Sequence, residues 1–277
     1  MVELAGMGPW RVCHRRAARS VAAALFVALA GCAGPSPGRA AGGGPGWIGS
    51  ISGAGSQAAT ITLRIPSAWS AADLILAFVA SDGPDTEPVT TISRPTTAVL
   101  GGASGLTWTR LAHVSARHDW SRPSEPLERY GASIAEIWAA RVPRDWTRAG
   151  SGTITVANSH PETADNGFAA TIVAFANGRI SGIATLDGLS ANPEWQRVVV
   201  PACSDIFAAT FAGRANASFD PVAGYHLVVQ RRAGDDTAGV LASDSRCLPA
   251  SSQRVGYSAP NPGDFWEMAI AIVGPAR

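Results

Sequence analysis

Few residues in this sequence have the type and spacing to carry out chemistry, and Glu136 is the first of them. It alternates with Ile134 and Trp138, so on a strand the three side chains would share one face. Paired with a second acid across a cleft, it could be a glycosidase carboxylate, because those enzymes need two carboxyl groups about 5–10 Å apart. The alternative is a glutamate on a sheet face that is hydrogen-bonded or paired with an arginine. We favour the alternative.

The segment 117–130 is the best candidate for ligand recognition. It combines aromatic and polar side chains, namely His118, Asp119, Trp120, Arg122 and Tyr130. Aromatic faces stack on the apolar faces of sugar rings, polar neighbours bond to hydroxyls, and binding residues often lie on loops at the ends of sandwiches. The alternative is an ordinary long loop whose tryptophan folds back onto the core.

No motif for catalysis or metal binding is complete. Residues 256–260 (GYSAP) approach the hydrolase pattern G-x-S-x-G, but Pro260 replaces the last glycine and no helix is indicated after it. The histidines lack metal-ligand spacing. All 22 basic residues are arginines, which excludes every mechanism that needs a lysine. We therefore predict no catalytic residue, no metal and no cofactor.

The N-terminal segment has the anatomy of an export signal. Four arginines between residues 11 and 19 precede the apolar run 21–30, which is shorter than the ~20 residues that a membrane span needs. The run ends in Leu-Ala-Gly-Cys at residues 29–32, which resembles the lipobox of bacterial lipoproteins. The resemblance implies that residues 1–31 are removed and that Cys32 is acylated with diacylglycerol. An ordinary cleavage site with an incidental cysteine is the alternative.

Behind Cys32 the sequence predicts a tether and then one domain. Residues 32–46 consist almost entirely of Gly, Ala, Pro and Ser, which have nothing to bury, so we predict a flexible linker. The domain then covers residues 47–277. Together with the lipobox, this predicts a protein that is exported and anchored to the cell membrane by an N-terminal lipid.

The cysteine count predicts a disulfide, and the net charge of the processed chain argues against one class of partner. Cys203 and Cys247 are an even pair in a chain bound for an oxidising compartment, so we predict a disulfide between them. After residue 31 the chain carries 18 Arg against 20 Asp and Glu. A nucleic-acid binder normally presents a basic face, so we expect no nucleic acid among the partners.

From residue 47 onward the sequence predicts only β-structure. Short runs of β-branched and aromatic residues are separated by Gly, Pro, Asp and Asn, and several runs are apolar on both faces. We predict an all-β antiparallel sandwich, jelly-roll-like, of about twelve strands. The predicted strands are residues 60–65, 73–80, 106–116, 133–140, 152–157, 168–175, 197–200, 205–212, 225–231, 239–242, 253–257 and 265–273.

The strands form two series of similar pattern. The matched pairs are residues 73–80 with 205–212, the strand after Gly105 with the strand after Gly224, and residues 168–175 with 265–273. Two pseudo-repeated halves could share one core or form two tandem sandwiches. We favour one sandwich, because no linker follows the first series.

These elements resemble a β-sandwich module of exported bacterial and phage structural proteins. The resemblance rests on DLILAF from residue 73, GLTW from 105, AEIW from 135, IVAFANG from 172, the Pro221-x-x-Gly-Tyr225 motif and Trp266. It covers residues 47–273 and implies a jelly-roll-like or lectin-like sandwich without catalysis. We therefore expect a membrane-tethered surface lipoprotein that binds a glycan or an envelope partner. The alternative is a secreted polysaccharide hydrolase with a carboxylate pair that includes Glu136.

Overall fold

The structure is a computed structural model, and it describes most of the chain beyond residue 44. The described residues are 45–56, 60–81, 97–115, 133–159, 167–188, 194–213, 219–233, 236–244, 247, 249–258 and 265–276. The predicted leader, Cys32 and the segment 116–132 lie outside these residues. All structural statements below concern the described part of the chain.

The described residues form sixteen strands and no α-helix. The strands are β1 (Gly46–Ser56), β2 (Ile61–Arg64), β3 (Leu74–Ser81), β4 (Ala98–Gly101), β5 (Thr109–Val114), β6 (Ile134–Arg141), β7 (Thr153–Asn158), β8 (Gly167–Ala176), β9 (Gly178–Gly188), β10 (Glu194–Val200), β11 (Asp205–Gly213), β12 (Asp220–Pro221), β13 (Tyr225–Ala233), β14 (Asp236–Ser243), β15 (Ser251–Ser258) and β16 (Phe265–Pro275). A short 3₁₀ turn, Ser67–Ala71, precedes β3. Within these ranges no helix is long and apolar enough to cross a membrane.

The all-β antiparallel prediction is confirmed, and each of the twelve predicted strands is present. The structure contains four further strands, β1, β4, β9 and β12. All four are edge strands of their sheets. An edge strand buries less surface and tolerates glycine and proline, so its sequence carries a weaker β signal. The predicted count of about twelve was therefore too low, and the jelly-roll detail stays a prediction.

The strand order repeats between the two halves of the chain. The first half forms a five-stranded sheet, β1-β8-β3-β6-β5, and a three-stranded sheet, β2-β7-β4. The second half forms β9-β16-β11-β14-β13 and β10-β15-β12, which is the same order with eight added to every strand number. The pseudo-repeat predicted from the sequence is present, with eight strands in each half instead of six.

The four sheets stack in layers around three apolar cores. A central core lies between the two five-stranded sheets, and each five-stranded sheet buries its other face under its own three-stranded sheet. Along β3, Leu76 and Phe78 point into the central core, whereas Ile75 and Ala77 point into the outer core. This explains the runs that are apolar on both faces. The two halves share the central core, as the prediction of one joint sandwich requires, and each half also encloses an outer core of its own.

One residue connects the two halves. Strand β8 ends at Ala176 and β9 begins at Gly178, so only Asn177 lies between them, with a φ of 60° that asparagine tolerates well. The Asp73 carboxylate, at the start of β3, accepts hydrogen bonds from the backbone N–H groups of Asn177 (2.9 Å) and Gly178 (3.3 Å). The sequence contains no linker after the first series of strands, which favoured a joint fold. In the structure the two halves are accordingly joined through a single residue.

A disulfide joins Cys203 and Cys247, as predicted. It connects the segment before β11 to the segment between β14 and β15. The Asp205 carboxylate accepts a hydrogen bond from the Cys247 backbone N–H at 3.1 Å, so a buried side chain holds the same turn. Both features stabilise one end of the second half.

The strand ends that flank four undescribed segments, 82–96, 116–132, 214–218 and 259–264, lie at the opposite end of the stack from the disulfide. In the first half Ser81, at the end of β3, pairs with Ile134 at the start of β6. In the second half Gly213, at the end of β11, pairs with Phe265 at the start of β16. The Ser133 hydroxyl also donates a 2.5 Å hydrogen bond to Glu267 Oε1 across the central core. The strand ends that flank the segment 116–132 thus belong to this end.

The aromatic contacts of the central core lead to a stability prediction. Phe207 of the second half is 1% exposed, and its ring centre lies 5.5 Å from Phe78 and 5.8 Å from Phe175 of the first half. We expect Phe207→Ala to lower the free energy of unfolding by about 3–5 kcal/mol. The exposed Val199 (78%) supplies the control, since Val199→Ala should change it by no more than about 0.5 kcal/mol. Denaturant unfolding measures both, and two separate transitions in the unmodified protein would contradict the shared core.

Candidate functional site

Among the described ion pairs, one group combines a buried charge with partly exposed partners. Its central residue is Glu136. Glu136 lies on β6, opposite Val79 of β3 and His113 of β5, and its side chain is 0% exposed. It points into the outer core of the first half, where β4 of the three-stranded sheet reaches it. The alternation with Ile134 and Trp138 seen in the sequence is real, so Trp138 lies on the same face.

Both oxygens of the Glu136 carboxylate accept hydrogen bonds from several elements. Oε1 accepts from the Thr97 hydroxyl (2.8 Å), Arg110 Nη1 (3.2 Å) and His113 Nδ1 (2.6 Å). Oε2 accepts from the Ala98 backbone N–H (2.9 Å) and the Trp138 indole N–H (2.7 Å). The carboxylate thereby ties β4, β5 and β6 together across two sheets. The expected alternative for Glu136, hydrogen-bonded and paired with an arginine, is confirmed.

Its surroundings keep Glu136 ionised. Burial alone would raise the pKa of this carboxyl group, because a buried carboxylate loses its hydration. The donors of His113, Ala98, Trp138 and Thr97 outweigh burial and hold the pKa below the ordinary value. An ionised carboxylate can only accept, so the short contact to His113 requires the proton on Nδ1.

Arg110 is the charged residue of this cluster that reaches the surface. Its side chain is 42% exposed and that of His113 is 24% exposed, whereas Glu136 is enclosed. The guanidinium carbon lies 5.8 Å from the centre of the Trp138 ring, within the range of a cation–π contact. Nη1 also donates to the Thr97 hydroxyl at 2.9 Å. Stacking and hydrogen bonds together hold the planar cation in one orientation.

The sequence analysis placed Glu136 and Trp138 on one strand face and gave no sign of their partners Arg110, His113 and Thr97. Arg110 and His113 lie on β5, and a register irregularity between Arg110 and Ala112 brings both onto the face of Glu136. Regular alternation would place residues 110 and 113 on opposite faces of a strand, so the spacing gave no signal. Thr97 precedes β4, one of the strands that the sequence did not reveal.

The remaining predicted site residues lie outside the described part of the chain. These are Cys32 and the recognition residues His118, Asp119, Trp120, Arg122 and Tyr130. The structure does place the strands on either side of the recognition segment. They are β5 and β6, the two strands that carry Arg110, His113 and Glu136.

A second contact between a histidine and a carboxylate occurs in the second half. His226 Nδ1 lies 2.8 Å from Asp244 Oδ1, and both side chains are about half exposed (48% and 50%). Across the residues described above, no group of three or more His, Cys, Asp and Glu side chains could hold a metal ion. The pair therefore amounts to a surface contact.

No protein-family model matches the chain, and neither a curated protein nor a solved structure matches it. The resemblances to the β-sandwich module and to the lipobox stay expectations. The argument about function consequently depends on the residues of this chain.

The lowered pKa of Glu136 predicts an acid-sensitive fold. The carboxylate stabilises the fold fully above the pKa of about 4.3 that glutamate has in an unfolded chain, and this stabilisation is lost as the pH falls through the lower folded value. We expect the free energy of unfolding to fall less steeply between about pH 6 and pH 3 in Glu136→Gln than in the unmodified protein.

The control for this prediction is Asp187→Asn, which removes an exposed carboxylate on β9. Thermal or urea unfolding across the pH series measures all three proteins. Equal slopes for the unmodified protein and Glu136→Gln would show that Glu136 does not contribute to acid sensitivity.

Proposed function

We propose that this protein is an exported, lipid-anchored surface protein whose double sandwich binds a glycan or an envelope partner without catalysing a reaction. The observation that carries the proposal is the full engagement of Glu136. It was the acidic residue with the clearest pattern for glycosidase chemistry. Its two oxygens are occupied by five donors, and its side chain is buried.

The geometry of Glu136 is unsuited to either role of a glycosidase carboxylate. A general acid must hold a proton near neutral pH, which requires a raised pKa, and the pKa of Glu136 is lowered. A nucleophile must reach the sugar with a free oxygen, whereas each oxygen of the buried Glu136 side chain accepts at least two hydrogen bonds from the chain itself. This argues against the polysaccharide hydrolase and leaves Glu136 the role of positioning Arg110 and His113.

The layered architecture supports a binding role. Three apolar cores make the strands rigid, and rigid strands can hold surface side chains in fixed positions without a cost on binding. The recognition segment 117–130 joins β5 to β6, so its candidate residues extend from the strands of the Glu136 cluster. In the proposal, Cys32 holds the lipid and the Gly- and Pro-rich segment between Cys32 and β1 lets the domain extend an r.m.s. distance of about 20 Å from the membrane.

The anchor has a direct test in cells. We expect metabolic labelling with a palmitate analogue to mark the unmodified protein and to leave Cys32→Ala unmarked, with Cys32→Ala released from the membrane fraction. The matched control is Cys13→Ala, which removes a cysteine ahead of the apolar run and should keep both label and membrane retention. Unchanged labelling of Cys32→Ala would contradict lipidation at this residue.

Binding without turnover is tested on the purified domain, residues 47–277. We expect it to retain saccharides on a glycan array and to release no product from cell-wall polysaccharides over long incubation. Trp120→Ala should weaken binding by an order of magnitude or more, because aromatic hot spots contribute at least ~2 kcal/mol, and should leave the melting temperature nearly unchanged. Hydrolysis that disappears in Glu136→Gln would contradict the proposal.

A further inference from the structure

Among the described residues, the three-stranded sheet covers only part of the outer face of the first five-stranded sheet. The three-stranded sheet ends with β4, which reaches β6 through the hydrogen bond from the Ala98 N–H to Glu136. The sheet below continues beyond β6 to the edge strand β5. The outward side chains there are Trp108, Arg110 and His113 on or beside β5, and Trp138 on β6. We call these four residues the β5 shelf.

The corresponding region of the second half shows what the fold itself requires. There the residue that precedes β12, Phe219, donates its backbone N–H to Gln230 Oε1 on β13 at 3.0 Å. A neutral amide thus does for β12 what the Glu136 carboxylate does for β4. A short strand can therefore be held without a charged group. Attachment of β4 alone does not explain why the first half uses the charged cluster of Arg110, Glu136 and His113.

In the second half, the side chain of Phe219 occupies the corresponding region. Gln230 pairs across the strands with Gly239, and a Cβ atom at Gly239 would lie only 3.1 Å from the Phe219 ring. Phe219 is 3% exposed and packs on Tyr257 at 3.9 Å between ring centres. Counted from the register irregularity that β5 and β13 share, the first-half pair that corresponds to Gln230 and Gly239 is His113 and Glu136. Arg110 and Trp138 correspond to Leu227 and Leu241. Leu241 is fully buried, whereas Arg110 and Trp138 both keep contact with solvent. At these positions the described residues of the second half are apolar and pack on its outer core, whereas the first half places a partly exposed cation there.

The β5 shelf presents a cation beside an aromatic ring. Among the described residues, Arg110 makes its hydrogen bonds through Nη1 alone, so Nε and Nη2 remain to bind a ligand. Two parallel N–H groups of a guanidinium match the two oxygens of a carboxylate. The half-buried indoles of Trp108 and Trp138 offer apolar surface next to that fork. A sugar ring that carries a carboxylate supplies both complements.

We propose that the β5 shelf binds acidic saccharides, with the Arg110 guanidinium on a sugar carboxylate and an indole against the ring. This inference rests on the proposed function and specifies its ligand class. Glu136 is a positioning residue here: its buried carboxylate holds Nη1, which leaves the other edge of the guanidinium facing outward. The hydroxyl of Thr97, the residue before β4, accepts a hydrogen bond from the same nitrogen.

The test uses the whole domain, a defined ligand pair and a matched variant. The probe is an oligosaccharide of uronic acids, and its partner is the same oligosaccharide with the carboxyl groups reduced to alcohols. Arg110→Gln removes the proposed fork. Arg179→Gln removes an exposed arginine from β9, the edge strand that packs across the central core from β5, so the two variants have the same net charge. Calorimetric titration and indole fluorescence report binding.

We expect the acidic oligosaccharide to bind at least about tenfold more tightly than its reduced partner, with affinity falling as salt is added. Arg110→Gln should lose at least about tenfold of that affinity, and Arg179→Gln should bind like the unmodified protein. Arg110→Lys keeps the charge but lacks the planar fork, so it should not restore tight binding. The melting temperature of each variant shows whether it is folded.

The outcomes separate this inference from the proposed function. Equal affinity for the acidic and reduced oligosaccharides, or unchanged binding by Arg110→Gln, would overturn the acidic-saccharide site while leaving a glycan-binding protein. Competition by inorganic phosphate as strong as by the uronic acid would show a general anion site and would also overturn it. Failure of the domain to bind any saccharide or envelope preparation would overturn both.

Discussion

The central core between the two five-stranded sheets is the constraint on which the rest of this structure depends. Phe78 and Phe175 of the first half and Phe207 of the second meet there, and the single residue Asn177 connects the halves. A connection this short keeps the halves adjacent in the unfolded chain, so little loop-closure entropy opposes their association. Burial on both faces then requires strands such as β3 to be apolar at nearly every position. Most polar side chains are left to the edges, the outer faces and the strand ends, with Thr171 of β8 and Thr210 of β11 as buried exceptions.

The duplication allows one half to serve as a control for the other. Both halves must attach a short fourth strand to a five-stranded sheet, and they do so with different chemistry. The second half uses the neutral Gln230 and covers the region with Phe219. The first half uses the charged Glu136 and leaves Arg110 partly exposed. A buried carboxylate must be compensated by donors, and those donors in turn become fixed in place. The first half thereby gains an oriented guanidinium that the second half lacks.

Much of the fold could be predicted from the sequence, whereas little of the site could be. Interior strands such as β3 and β16 are apolar runs between turn residues, and this local signal is sufficient to find them. The Gly- and Ser-rich β1 and the two-residue β12 lack that signal, because an edge strand depends on its neighbour for half of its contacts. For the site, Glu136 was visible through its alternation with Trp138. Its partners Arg110 and His113 were hidden by the register irregularity in β5.

The sequence by itself determined the all-β class, the two similar series of strands and the pairing of Cys203 with Cys247, because these follow from local pattern and from the count of cysteines. Only the tertiary structure decided that two complete sandwiches share a third core. It also decided that Glu136 is a saturated structural carboxylate, since hydrogen bonds from residues up to 39 positions away in the chain consume its oxygens. A single sequence records which side chains exist and how they alternate. It does not record which strands become neighbours, and electrostatic environment depends on neighbours.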